Sequence, residues 1–199
     1  IKIIIYMRIF LSIIILIFSL QSFTKADNIR DFQIEGISIG DNALEFFSKE
    51  EIKKNVQNYH KKKDLVPVWI RSSKFISYDG IQFYYKKLEN KYIIVGIEGI
   101  IPYQKSMGAK IEDCYKKVDE IDNEISNSFT NTKRIDEGIV NHPKDKTGKT
   151  KVRQILYFFS NDDIAYVKCF DWSEEMGFGD HLRVGFKTDE LNLWYDTAN

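Results

Sequence analysis

The run Tyr92 to Ile101 (YIIVGIEGII) is apolar on both faces through its first half. A strand of that kind needs cover on both sides, so it belongs in the middle of a sheet. Its neighbours read as strands too. Ile81, Phe83 and Tyr85 alternate after the turn Asp79-Gly80, and Leu88 to Lys91 forms the hairpin between the two. Val66 to Ile70 (VPVWI) is short, and Pro67 places it at an edge. Further along, Val152 to Ser160 and Ile164 to Trp172 are strands joined by Asn161-Asp162-Asp163, and Leu182, Val184 and Phe186 alternate in another. Near the start, Phe32 to Gly40 alternates in its first half and ends in glycine, which predicts one more strand.

Helical patterns supply the cover. In Lys105 to Phe129, Ile111, Cys114, Val118, Ile121 and Ile125 recur at steps of three and four, with charges between them. A single apolar stripe on a charged helix packs on something flat. Asp41 reads as the N-cap of a short helix bearing Leu44 and Phe47. Ser48-Lys49-Glu50-Glu51 reads as a capping box opening a second helix through Ile52, Val56 and Tyr59. Thr188 caps a terminal helix carrying Leu191, Trp194 and Tyr195, and Asn141 to Lys151 (NHPKDKTGKTK) reads as a polar loop with little to order it. Strands come in neighbouring pairs without regular strand-helix-strand alternation. The expected architecture is therefore α+β: an antiparallel sheet of about five to seven strands, with one long amphipathic helix and a short N-terminal helical pair packed on it.

Ahead of this body stands a different kind of sequence. Met7-Arg8 is a short basic start, Ile9 to Leu20 (IFLSIIILIFSL) an apolar run, and Gln21 to Ala26 (QSFTKA) a polar tail with Thr24 and Ala26 at the small-residue positions. That is the layout of a secretory signal cleaved after Ala26. Translation is expected to begin at Met7, with Ile1 to Tyr6 upstream of it. The alternative is a retained anchor, which needs about 20 uninterrupted apolar residues; Ile9 to Leu20 supplies 12. The expected organisation is thus a signal segment over 1–26 and one α+β domain over 27–199. That domain would be periplasmic or secreted, with no transmembrane segment after signal removal. Residues 1–26 hold Lys2, Arg8 and Lys25 and no acid, which leaves 26 basic against 29 acidic side chains, a net charge of −3. This excludes a general attraction to nucleic acid. With 14 Phe, 11 Tyr and 3 Trp, the chain has the means to build a core.

Cys114 lies in the apolar stripe of the long helix, and Cys169 shares a strand face with Ala165 and Val167. Export to an oxidising compartment favours a bridge between them. The plainer alternative is two separate buried thiols. Gly148-Lys149-Thr150 has the ending of a phosphate-binding loop, but Pro143 stands where its first glycine belongs. Gly40-Asp41-Asn42-Ala43-Leu44 is slightly similar to the nucleophile block of GDSL-type hydrolases, with Asn42 in place of the attacking serine. The densest polar cluster is Asp171, Glu174, Glu175, Asp180 and His181, around the loop Gly177-Phe178-Gly179. An acid–base site there requires a carboxylate within hydrogen-bond reach of His181. The plainer reading is a solvated loop between strands. His60, His142 and His181 are the only histidines, and no two stand at metal-ligand spacing.

Phe32-Gln33-Ile34-Glu35-Gly36-Ile37-Ser38-Ile39-Gly40-Asp41, Phe46-Phe47-Ser48, Glu50-Glu51-Ile52, Cys114 in its charged helix and Cys169-Phe170-Asp171 together carry a resemblance. The chain resembles a group of small exported proteins of uncharacterised function from marine alphaproteobacteria, over nearly all of residues 27–199. The group brings no catalytic residues to transfer. The segment from Gly36 to Gly40 is also similar to one leading into a helical hairpin in small outer-membrane assembly proteins. No nucleophile, metal or cofactor constellation stands out, so neither a cofactor nor a catalytic residue is assigned. The expected function is a non-enzymatic periplasmic binding or envelope-accessory module, whose partner is an envelope protein or a small ligand. The alternative is a small periplasmic hydrolase with its site around Asp171, Glu174, Asp180 and His181.

Overall fold

A computed structural model describes residues 28–58, 60, 64–88, 91–104, 106, 108–129 and 131–197. The signal segment, its cleavage after Ala26 and the start at Met7 lie outside these residues. Seven strands form one antiparallel sheet: β1 (Leu65–Arg71), β2 (Gly80–Leu88), β3 (Lys91–Pro102), β4 (Lys133–Asn141), β5 (Lys151–Phe158), β6 (Ile164–Asp171) and β7 (His181–Lys187). Their spatial order is β1-β2-β3-β7-β6-β5-β4. The strand that is apolar on both faces, β3, sits inside the sheet as its sequence demands, between β2 and β7. Among the described residues three α-helices accompany the sheet: α1 (Lys49–Lys54), α2 (Ile111–Ile125) and α3 (Asp189–Thr197). The protein is α+β, and no described helix is long and apolar enough to cross a membrane.

One face of the sheet lies under α2 and the N-terminal segment. Ile81, Phe83, Ile94, Ile97, Ile155, Val167 and Leu182 meet Ile34, Ile37, Ile52, Cys114 and Val118 in one buried cluster. Cys114 on α2 is bridged to Cys169 on β6, 55 residues away. The charged positions of α2 are also tied down. Asp122 accepts hydrogen bonds from Arg134 Nε and Nη2, both at 2.8 Å, and from the Tyr157 hydroxyl. Burial opposes the Asp122 charge, but the Arg134 and Tyr157 bonds outweigh it and hold its carboxyl below the usual range. Arg153 reaches Asp119 at 2.6 Å and Asp136 at 2.5 Å. The face predicted as wet is thus partly a salt-bridged seam.

The other face is half covered. α3 lays Leu191 and Trp194 on Leu65, Tyr84 and Val95. Thr188 starts this helix, its hydroxyl accepting from Leu191 N at 3.3 Å and donating to Val95 O at 3.0 Å. Gly96 makes room for it, because a Cβ there would lie 2.2 Å from Leu191 Cδ2.

Four expectations need correction. Phe32 to Gly40 is not a strand. Glu35 and Gly36 take positive φ (53° and 79°), and Ile34 and Ile37 bond to each other across a tight turn. The Glu35 carboxylate anchors that turn by accepting from the backbone N–H groups of Ile76, Ser77 and Tyr78. Asn42, not Asp41, caps the single 3-10 turn Ala43–Glu45, while Asp41 accepts from Ser38 N at 2.8 Å. α1 starts where expected, with Ser48 Oγ accepting from Glu51 N, but ends at Lys54. Beyond it the chain turns extended, and Asn55 and Gln57 bond the outer edge of β1 at Trp69 and Pro67. Finally, β4 fills a stretch with no predicted strand, and the polar loop after it is ordered. Asp145 accepts from Thr147 N and Oγ1, Thr150 N and Ser173 Oγ. These bonds, led by those from Thr147 and Thr150, keep its carboxyl well below the usual range.

Candidate functional site: a cationic groove on the half-covered face

The alternation that buries Leu182, Val184 and Phe186 turns His181, Arg183, Gly185 and Lys187 to the opposite face. On β6 the same logic sends Tyr166, Lys168 and Phe170 there, and on β3 it sends Glu98. Register then sets neighbours: Gly185 stands between Tyr166 and Glu98, Lys168 opposite Arg183, and Phe170 opposite His181. Gly185 is required at its position. A Cβ there would fall 2.6 Å from Tyr166 Cζ and Oη, so the absent side chain lets the Tyr166 ring cross β7. The Tyr166 hydroxyl then donates to Glu98.

These side chains form one connected chain of bonds. Arg183 Nη1 donates to Glu98 Oε2 at 2.6 Å, and Arg183 Nε donates to His181 Nε2 at 2.9 Å. The His181 Nε2 lone pair is therefore in use, which puts the ring proton on Nδ1, 2.7 Å from Gly179 O. Burial, aided by the Arg183 cation, pushes His181 down to about 4 and keeps the ring neutral at physiological pH. Burial also opposes the Glu98 charge. Arg183, Lys187 and the Tyr166 hydroxyl overcome that penalty, and its carboxyl lies below the usual range.

Above this floor runs a groove of about 560 Å³. Val140, Val152, Phe170 and Tyr195 give it apolar walls, and Glu137, His142, Lys144 and Asp196 stand at its rim. Lys168 and Lys187 project into it. Their ammonium groups lie 4.9 and 4.7 Å from the centre of the same Tyr166 ring, and Lys187 is also 4.9 Å from the Tyr195 ring. Among the described residues neither ammonium has a carboxylate or hydrogen-bond partner. Burial first, and then the charge of Lys187, pushes Lys168 down to about 8. A smaller hollow of about 210 Å³ adjoins the groove and shares Arg183 with it; Trp69, Arg71, Gln104, Phe178 and His181 line it.

The polar cluster singled out in the sequence is not one site. Asp171 faces α2 on the other side of the sheet, where it accepts from the Tyr115 hydroxyl at 3.2 Å. Glu174 opens the exposed 3-10 turn Glu174–Met176, and Glu175 pairs with Lys149. Asp180 is buried and accepts from Trp172 N at 2.7 Å, a structural bond. Asp180 and His181 both line the smaller hollow; His181 joins the groove floor only through Arg183, and its nitrogens are taken by Gly179 and Arg183. Glu98, Tyr166, Lys168, Arg183 and Lys187 went unnoticed in the sequence. Their signal was present, because each occupies the second set of positions in a strand whose first set is apolar, and Glu98 is the lone acid in an apolar run. Among the described residues no group of three or more His, Cys, Asp or Glu side chains is arranged to hold a metal ion.

Fold and site together define an α+β protein with a cationic groove over a buried, hydrogen-bonded ion pair. The chain matches no protein family, no curated protein and no solved structure.

Proposed function

We propose that this protein is an exported, non-enzymatic binding module that holds a small ligand in the groove between β4, β6, β7 and the end of α3. One observation carries the reading. The floor of the groove is an unbroken chain of bonds, Tyr166–Glu98–Arg183–His181–Gly179, in which the carboxylate, the guanidinium and the imidazole each already have a partner. Such an array fixes charges and shape, so none of the three is free to exchange a proton with a substrate, and the two lysines above it are left to meet a ligand. Pre-formed grooves with apolar walls and a few fixed polar groups suit retention of a ligand. The signal-like segment over 1–26 supports a place of work beyond the inner membrane.

The test is a screen of small molecules by ¹H–¹⁵N NMR, followed by mass spectrometry of each bound compound. The expected result is shifts confined to amides of β6, β7 and residues 140–144, with the compound recovered unchanged. Turnover of an ester, phosphate or peptide substrate that H181A abolishes would replace this reading with the hydrolase.

A further inference from the structure

We infer that the groove recognises an organic anion, a phosphate ester or a carboxylate with an apolar body, by closing Lys168 and Lys187 on the anionic group. This inference rests on the binding reading above and gives it a ligand class.

Two ammonium groups beside one ring repel each other, and among the described residues no carboxylate is in contact with either; Glu98, and for Lys168 also Glu137, act on them only through space. The buried carboxylate beneath them, Glu98, is already held by Arg183 and Tyr166. Glu137 at the rim accepts from Gln154. Packing does not call for this arrangement, since an uncharged residue at 168 or 187 would satisfy a half-covered strand position equally well. What the arrangement does supply is a pair of donors on long, hinged side chains. A phosphate or carboxylate oxygen is the acceptor that such donors bind most strongly, in charge-assisted bonds. Tyr166 holds the two ammonium groups by cation–π contact, which limits the ordering needed on binding. Val152 and Phe170 beside the lysines offer apolar surface for the rest of the molecule.

The purified full-length chain is titrated with phenyl phosphate, benzoate, inorganic phosphate and phenol, followed by NMR and calorimetry. The expected result is that phenyl phosphate or benzoate binds at least tenfold more tightly than phenol, with shifts at Tyr166 and Phe170. The stronger of the two anions identifies the headgroup. K168Q and K187Q should each weaken that binding by about tenfold, the equivalent of about 1.4 kcal/mol, while K116Q on α2 leaves it unchanged. Equal binding of phenol and the two anions by the wild-type chain would overturn the inference and leave the binding module standing. Failure of both anions to bind at millimolar concentration, or binding that survives K168Q/K187Q together, would overturn it as well. Only a screen in which no compound of any charge shifts the groove amides removes the binding reading itself. The wild-type comparison does not depend on either variant folding.

Discussion

Glu98 and Arg183 form the most consequential pair of side chains in the molecule. The Glu98 side chain is 5 % exposed and that of Arg183 26 %, so Glu98 is out of water and depends on the partly buried Arg183. Removing one charge strands its partner, which for buried pairs costs about 3 kcal/mol or more. E98Q should therefore lower the melting temperature by roughly 10 °C, and calorimetry of the variant checks it. E98Q should also free the Tyr166 ring, visible as a change in its NMR line shape. Asp122 gives a pH-dependent counterpart. Its folded carboxyl lies below its ordinary value of 3.8, so its charge stabilises the fold fully above that value and progressively less as pH falls through the folded one. The melting-temperature gap between wild type and D122N should thus be widest at neutral pH and close below about pH 4, in melts recorded from pH 7 to pH 2.5.

At the scale of elements, legibility followed periodicity. The hairpins β2–β3 and β5–β6 were readable because alternation and turn residues agreed. The helix α2 was readable because its apolar stripe is continuous, although the helix is Ile111–Ile125 rather than the longer span the pattern offered. β4 was not readable. Its sequence, KRIDEGIVN, is mostly exposed, and it is a strand because β5 pairs along its length and because Arg134 and Asp136 have partners on α2 and β5. Tertiary pairing decides such edge strands, and local pattern does not. Phe32 to Gly40 failed in the opposite way. Its isoleucines are buried as alternation suggested, but as a folded plug over the sheet and not as a strand within it. The groove was hidden for a related reason: its residues lie far apart in sequence and meet only through the β3-β7-β6 register. The bridge between Cys114 and Cys169 was expected from the count of two cysteines and from the export read in the leader, which remains a proposal. Closing a 55-residue loop stabilises a fold by about 4 kcal/mol through loop-closure entropy. The double variant C114S/C169S should lose about that much in urea unfolding, with an unfolding slope at least as large as the wild type's.

At the scale of the whole molecule, the sheet works as a partition. One face is a continuous hydrophobic core under α2 and the N-terminal plug, and the other is split between α3 and the groove. Fold class was recoverable from sequence because it depends on counts and order of elements. The site was not, because it depends on which face each alternate residue takes. The proposed export makes its own prediction. Protein isolated from the envelope or medium of a host that exports it should begin at Asp27 on N-terminal sequencing, and an intact leader on cytosolic protein would remove the basis for the compartment.

Cys169 and Lys168 are consecutive residues on β6, one facing the helix and the other the groove. The covalent tie therefore sits as a backing plate behind the groove residues of β6. On the proposed reading, a chain still reduced lacks that brace behind Lys168 and Phe170, and C114S/C169S should hold the groove's ligand less tightly than the wild type, a comparison that calorimetry checks.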